Sequence, residues 1–300
     1  MNIIGKMNLW FAFSAVMIAL GIFGFSYNMI VHGRPMNFGI DFTGGTIITL
    51  RFEQGANVSS RLGEVRKVLN GFKFRENTIQ KAGDNDITIR TEPLDGEIRT
   101  GIIAELEKTF GRIELLEADT IGPVIGAELR TQAFWALLVA TLGILLYVSF
   151  RFEFKYALAA VISLWHDAFI TVGLIALLYR TVDTAFIAAI LTILGYSIND
   201  TIVIFDRIRE NIAHQKKGKI SYAEVANTSI MQTMARSINT VLTVLFMNVC
   251  LLVFGGATIK DFALTLLIGF TLGGYSSIFI ASPVLVMLEG SLGKPKTKSA

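Results

Sequence analysis

Two adjacent pairs, His166-Asp167 and Asn199-Asp200, and one arginine, Arg236, lie inside stretches otherwise built of apolar side chains. A charge near the centre of a bilayer costs about 2.5–3.5 kcal/mol on insertion scales, so an aspartate kept there must be neutral, paired or facing water. In LGYSINDTIVIFDRIREN (194–211), Asp200 comes five residues before Phe205, beyond which charge sets in. At 1.5 Å per residue that is ~7.5 Å inside the edge of a ~30 Å hydrocarbon core. SIMQTMARSINTVLTVLF enters the membrane from the same side, with Arg236 seven residues after Ser229. If that helix begins near Ser229, Arg236 reaches a depth comparable to Asp200. A carboxylate whose pairing with an arginine can be made and broken can carry a proton. The same residues also fit a static ion pair locking two helices, or an arginine snorkelling to the headgroups. Position leaves these readings open, although intramembrane ionisable groups mark function by default.

His166 and Asp167 fall near the middle of YALAAVISLWHDAFITVGLIALLY. Histidine can relay protons near neutral pH. Neighbours on a helix point about 100° apart, so at most one of the two aims squarely at a given partner; plain hydrogen bonding between helices is the other reading. Asp167 with Asp200 could imitate an aspartyl-protease dyad, and Ser197 with His166 a nucleophile–base pair. Neither has its motif: Gly-x-Gly-Asp is Ser-Ile-Asn-Asp here, and Gly-x-Ser-Gly is replaced by Gly195-Tyr196-Ser197-Ile198. A phosphate-binding Gly-x-x-x-x-Gly-Lys-Ser/Thr loop is also missing. The chain is therefore not expected to be an enzyme.

These residues must be positioned by membrane helices. Of 300 residues 52% are hydrophobic and 17% charged, with a mean hydropathy of +0.56, against about 25% charged in soluble domains. Apolar stretches near the required 20 residues occur at 9–31, 133–150, 157–179, 184–205, 237–257 and 262–288. The first follows Lys6 and has no small-x-small cleavage site, so it reads as a retained anchor. Lys and Arg number 12 in the segments on the side of the termini, against Arg180 and Lys260 in the short connections opposite. The positive-inside rule then places both termini in the cytoplasm. The chain divides into a cytoplasmic N-terminus with helix 1 (1–31), an extracytoplasmic domain (32–132), helices 2–6 (133–290, with a cytoplasmic loop at about 206–233) and a cytoplasmic tail (291–300). Lys216-Lys217-Gly218-Lys219 reads as a solvated positive-inside loop, with binding of anionic lipid or a partner as the other reading. Gly269 and Gly273 have the small-xxx-small spacing of close helix packing. The single cysteine, Cys250, permits no disulfide within the chain.

The outer segment alone could fold in water. MNFGIDFTGGTIITLRFE reads as a strand entry with a Gly-Gly bend and then a strand to Glu53. VSSRLGEVRKVLNGF has apolar residues at 58, 62, 65 and 69, a helical spacing. FRENTIQKA and NDITIRTE alternate as strands joined through Gly83-Asp84-Asn85, a hairpin signal. A helix over IRTGIIAELEKTFG and a strand over RIELLEADTIG close a β-α-β-β-α-β order, the ferredoxin-like arrangement. Between residues 33 and 132 there are 13 basic and 15 acidic residues and no histidine or cysteine. That rules against a metal-hydrolase site there, and the whole chain's net charge of +3 is too small to imply nucleic acid.

FGIDFTGG (38–45), IGPVIGAEL (121–129), LGYSINDTIVIFDRIREN (194–211), QTMARSINTVLTVL (232–245) and GGYSSIFIASP (273–283) together resemble the SecF branch of the SecD/SecF family of bacterial protein-export membrane proteins. That family lies within the resistance–nodulation–division superfamily. The resemblance implies six transmembrane helices with one extracytoplasmic α+β domain, in the bacterial cytoplasmic membrane. It implies a heteromer with SecD, association with the SecYEG channel and with YajC and YidC, and unfolded polypeptide as cargo. Proton flow would help draw that polypeptide out after the ATP-driven motor SecA has pushed; protons are the coupling ion and no cofactor is implied. Asp200 and Arg236 match the family's intramembrane positions tied to proton movement; Asn199, His166 and Asp167 are candidates for the same path from their own placement in apolar stretches. Gly39, Asp41, Gly44 and Gly45 fall on the segment joining the first span to the outer domain, where motion would be passed outward. A passive assembly subunit and half of a small-molecule exporter are the competing readings.

Overall fold

The structure, a computed structural model, describes residues 2–53, 62–72, 74, 77–81, 85–214, 221–256 and 259–292. Residues 58, 83 and 84 and the lysine cluster at 216–219, which carried expectations above, lie outside the described residues, as do 293–300. The chain forms two compact units.

The smaller unit covers Phe38–Phe134 and Val182–Thr184. A two-residue strand, β1 (Asn37–Phe38), and a helical turn, α2 (Ile40–Thr43), precede strand β2 (Gly45–Phe52); helix α3 (Leu62–Gly71), strands β3 (Asn77–Lys81) and β4 (Asp86–Thr91), helix α4 (Gly96–Phe110) and strand β5 (Ile113–Ile121) follow. The antiparallel sheet has the order β3-β4-β2-β5, which is how a β-α-β-β-α-β chain closes when each helix crosses back over one face. β4 alternates partly and fully buried residues along its length, and its Ile87 and Ile89 face Leu50 and Ile48 of β2. With Val65, Leu69, Ile102 and Leu106 from the helices they form a fully enclosed core, each side chain contributing about 1.5–3 kcal/mol by leaving water. Phe52 meets Phe110 edge-on at 5.3 Å. The β2–β5 register slips between Thr49 and Leu50. At the end of the central β2–β4 ladder, Arg51 donates to both oxygens of Asp86 (2.9 and 3.0 Å), which holds the guanidinium above its usual pKa. The pair is solvated, so Arg51→Ala should leave the urea midpoint of this unit almost unmoved.

The larger unit covers Met1–Asn37, Trp135–Thr181 and Ala185–Ala300. Among the described residues six helices are long and apolar enough to cross a membrane: Ile4–His32, Pro123–Arg151, Phe154–Leu177, Thr184–His214, Tyr222–Phe254 and Lys260–Gly290. Their regular parts are α1 (Met7–His32), α5 (Pro123–Arg151), α6 (Phe154–Leu177), α7 (Thr184–His214), α8 (Tyr222–Phe254), α9 (Lys260–Ser276) and α10 (Ser282–Leu292). Several run past their apolar stretches. α5 starts ten residues before 133, and α7 continues through the charged DRIREN segment, where Arg207 and Glu210 pair at i,i+3 (2.6 Å). α8 starts at Tyr222, well before Ser229, because Ser221 and Glu224 form a reciprocal capping box. Ser221→Ala should cost that terminus about 1 kcal/mol, read as roughly fivefold faster amide exchange over the first turn of α8.

α1 and α6 pack side by side. Ser14 meets His166, and seven residues further along both helices Gly21 meets Gly173, so closely that a Cβ on Gly173 would lie 2.6 Å from the Gly21 Cα. A repeat of seven keeps one helix face on its neighbour. Asn28 extends the seam by donating to the Ala176 carbonyl (2.7 Å). Gly269 and Gly273 face α7: a Cβ at Gly269 would meet Ile193 at 2.1 Å and one at Gly273 would meet Ser197 at 3.1 Å. The small-residue spacing therefore serves packing inside this chain.

The sixth span is interrupted. Ser277–Ala281 form a π-helical turn between α9 and α10. Pro283 follows two residues later and cannot donate to the carbonyl four residues back; the widened turn accommodates that, and the Ser282 hydroxyl donates to the Ser277 carbonyl (3.1 Å).

Candidate functional site

Two buried carboxylates define the polar interior of the large unit. Asp167 is fully enclosed. Its Oδ2 accepts from the hydroxyls of Ser197 on α7 (2.7 Å) and Ser276 at the end of α9 (2.6 Å). Its Oδ1 lies 3.0 Å from His166 Nδ1. Three spans thus converge on one side chain. His166 turns the other way, its Nε2 2.8 Å from Ser14 Oγ on α1. Ser14 is 3.3 Å from the Tyr275 hydroxyl, which donates to the Trp10 carbonyl (2.9 Å). The 100° between neighbours on α6 sends His166 to the first span and Asp167 to the fourth and sixth, so the two do not compete for one partner.

Asp200 is 6% exposed. The Ser237 hydroxyl of α8 donates to its Oδ1 at 2.7 Å; its Oδ2 is buried and has no hydrogen-bond partner. The adjoining Thr201 shares a hydrogen bond with Ser277 in the π turn (2.9 Å). A π turn beside a buried acid is a common place for function.

Whether Arg236 touches Asp200 is a point the sequence leaves open. No ion pair joins it to Asp200 among the described residues; Ser237 holds that contact, and Arg236 faces outward. Arg236 adjoins Ser237 in the chain, but one residue turns a helical side chain by 100°. Asn199 is likewise exposed while Asp200 is buried. Both enzyme-like arrangements also fail: Ser197 gives its proton to Asp167 rather than to His166, and the two aspartates hold different partners. No cluster of three or more His, Cys, Asp or Glu able to hold a metal occurs among the described residues.

In the small unit, Gly44 (φ +74°) and Gly45 (φ +131°) occupy conformations that favour glycine, and a Cβ at Gly45 would lie 2.5 Å from the Thr91 carbonyl oxygen. Gly39 has an ordinary φ of −69°, and its N–H donates to the Val182 carbonyl (2.8 Å). Asp41 Oδ2 accepts from the N–H of Thr184 (2.8 Å) and from its hydroxyl. The segment is therefore a tightly fitted loop whose acid anchors the first residue of α7.

Sequence reading missed Ser14, Ser237, Tyr275, Ser276 and Ser277. Hydroxyls cost little in an apolar helix and leave no trace in hydropathy. The visible signal was the adjacent serines of GGYSSIFIASP, next to glycines that allow close approach.

Comparison with known families decides the kinship. The description "Protein export membrane protein SecD/SecF, C-terminal" matches residues 102–291, and "SecD/SecF GG Motif" matches residues 30–56. The chain belongs to the SecD/SecF family. Among SecD/SecF proteins, "Protein translocase subunit SecF" of Sebaldella termitidis is 41% identical over 290 residues, covering 96% of this chain and 92% of the relative. The SecF of Pseudomonas aeruginosa is 39% identical over 293 residues, covering 96% and 91%. The crystal structure of SecDF, a translocon-associated membrane protein from Thermus thermophilus, superposes with a TM-score of 0.85 at 36% identity. The match covers 97% of this chain and 39% of that one, so the chain spans well under half of the SecDF polypeptide. SecDF in its super-membrane-facing form matches less closely, at a TM-score of 0.67.

Proposed function

We propose that this chain is the SecF-type subunit of a Sec translocase in the bacterial inner membrane, and that with SecD it uses the proton-motive force to help complete export through the SecYEG channel. The observation that carries the proton part is Asp200: a buried carboxylate inside a spanning helix, with one oxygen tied to Ser237 and the other unpartnered. A group so placed can take a proton without first breaking a bond. Protonation removes its charge, turns an acceptor into a donor and reweights the contact between α7 and α8. Arg236, next to Ser237 and exposed at the same depth, is the cation that responds to that charge, with Asn199 beside Asp200 on the open face. Each charge crossing 100 mV releases ~2.3 kcal/mol, enough to shift a two-state element by more than tenfold.

Family kinship supports SecD as the second half, because the SecDF neighbour is a single chain more than twice as long. SecYEG, YajC and YidC are proposed as associates on the same kinship. The lysine and arginine distribution supports cytoplasmic termini and an extracytoplasmic small unit. The loop of Gly39, Asp41, Gly44 and Gly45 is the stretch along which movement would pass into that unit. Protons are the only coupling agent the reading requires, and no catalytic step is part of it.

The test is late-stage export in sealed vesicles holding SecYEG, SecD and this chain, with the gradient imposed or collapsed after ATP is removed. Completion that follows the gradient supports the reading. Completion that needs the chain but ignores the gradient would make it a passive assembly subunit.

A further inference from the structure

The hydrogen-bond chain around His166 has a fixed direction, and that direction counts protons. A carbonyl oxygen can only accept, so the Tyr275 hydroxyl spends its single proton on Trp10 O at 2.9 Å. In its contact with Ser14 at 3.3 Å Tyr275 must then accept, and Ser14 spends its own proton there. Ser14 Oγ is left as an acceptor toward His166 Nε2 at 2.8 Å, so Nε2 must carry a hydrogen. On the far side, Ser197 and Ser276 both donate to Asp167 Oδ2, and Oδ1 and His166 Nδ1 share one more proton across 3.0 Å.

We infer that His166 and Asp167 form a second proton-binding site, loaded in this conformation with a proton on Nε2 and one between Nδ1 and Oδ1. Through Ser14 and Tyr275 that load is tied to the first span. Losing one proton leaves a His166 that donates only from Nδ1; Ser14 must then turn its hydrogen to Nε2, Tyr275 must turn to Ser14, and the Trp10 carbonyl loses its bond from the sixth span. The site thus reports its occupancy as the presence or absence of one bond between the first and sixth spans.

Little else could neutralise the change. From α1 no charged residue lies between Lys6 and His32, and from the sixth span none lies between Asp261 and Glu289, Tyr275 being the titratable group that faces His166. α7 contributes Ser197 at the site, with Asp200 one turn on and bonded to α8. α6 contributes Asp167 itself.

The inference deepens the proton-coupled reading above but is tested without an export assay. The full chain, labelled with 15N-histidine and reconstituted in nanodiscs, has three histidines; comparison with His166→Gln assigns the signal. At pH 7, Nε2 of His166 should appear protonated, whether the shared proton rests on Nδ1 or on Asp167. A neutral ring protonated only on Nδ1 would overturn the inference. In Tyr275→Phe, Ser14 is released to donate to Nε2, and that Nδ1-only form should emerge; a spectrum unchanged from wild type would mean that Tyr275 does not set the direction. Asp200→Asn should leave the His166 signal as it is, so this site and the Asp200 reading can fail separately.

Discussion

Asp200→Asn should reduce gradient-driven completion of export to the level seen with the gradient collapsed, while the subunit still assembles with SecD at normal yield. The argument rests on what asparagine keeps and loses. Its side chain has nearly the same shape, and its amide oxygen can still accept from Ser237, which donates to Oδ1 at 2.7 Å. The contact between α7 and α8 therefore survives. What disappears is the ionisable carboxylate, with its second oxygen buried and unpartnered; an amide does not take up a proton near neutral pH. A function that needs the proton is lost outright, whereas a function that needs only the contact is retained. Matched co-purification of SecD and chase assays in energised vesicles separate the two. Full gradient response in the variant would remove Asp200 from the proton path; loss of assembly together with function would make it a structural pin. Ser237→Ala should give an intermediate result, since it leaves the carboxylate in place but strips its one donor.

The second large effect is expected in the small unit. Gly45→Ala puts a Cβ 2.5 Å from the Thr91 carbonyl oxygen at a φ of +131°. Thr91 cannot retreat, because it is paired to Thr46 in the central ladder of the sheet. A non-glycine residue in such a conformation costs about 1–3 kcal/mol and forced overpacking about 1–3 kcal/mol more. The total, roughly 2–6 kcal/mol, is a large share of the 5–15 kcal/mol that holds a typical domain together. Gly63→Ala is the matched control: it lies in α3 with open space where a Cβ would go, and should be neutral or stabilise by up to about 1 kcal/mol. Urea-dependent pulse proteolysis of the full chain, scored on fragments from residues 38–134, reads both. A Gly45→Ala chain as resistant as wild type would mean that the β2 entrance yields more easily than its geometry implies.

The sequence and the structure agree best where a periodic pattern had nothing to compete with it. The alternation of DITIRT and the 3.6-residue spacing of GIIAELEKTF each have one apolar face, and both elements formed where expected. Helix ends were misjudged because hydropathy reports where lipid begins, whereas helices stop where their caps are; the Ser221–Glu224 box lies well outside the apolar stretch. At the site, the buried carboxylates were legible because a charge in an apolar run is conspicuous. Their partners were not. Depth along a helix can be counted, but the facing direction changes by 100° with each residue, and that alone exchanged Arg236 for Ser237. The chain from Asp167 through His166, Ser14 and Tyr275 to Trp10 depends on three helices meeting, which no local pattern encodes.

The glycine contact between α1 and α6 has a mechanical consequence. Where side chains separate two helices, small displacements are absorbed as one rotamer gives way to another. At Gly21 and Gly173 backbone rests on backbone, and nothing lies between them to yield. The first and third spans therefore meet there as two hard backbone surfaces, with no side chain to take up a small shift between them.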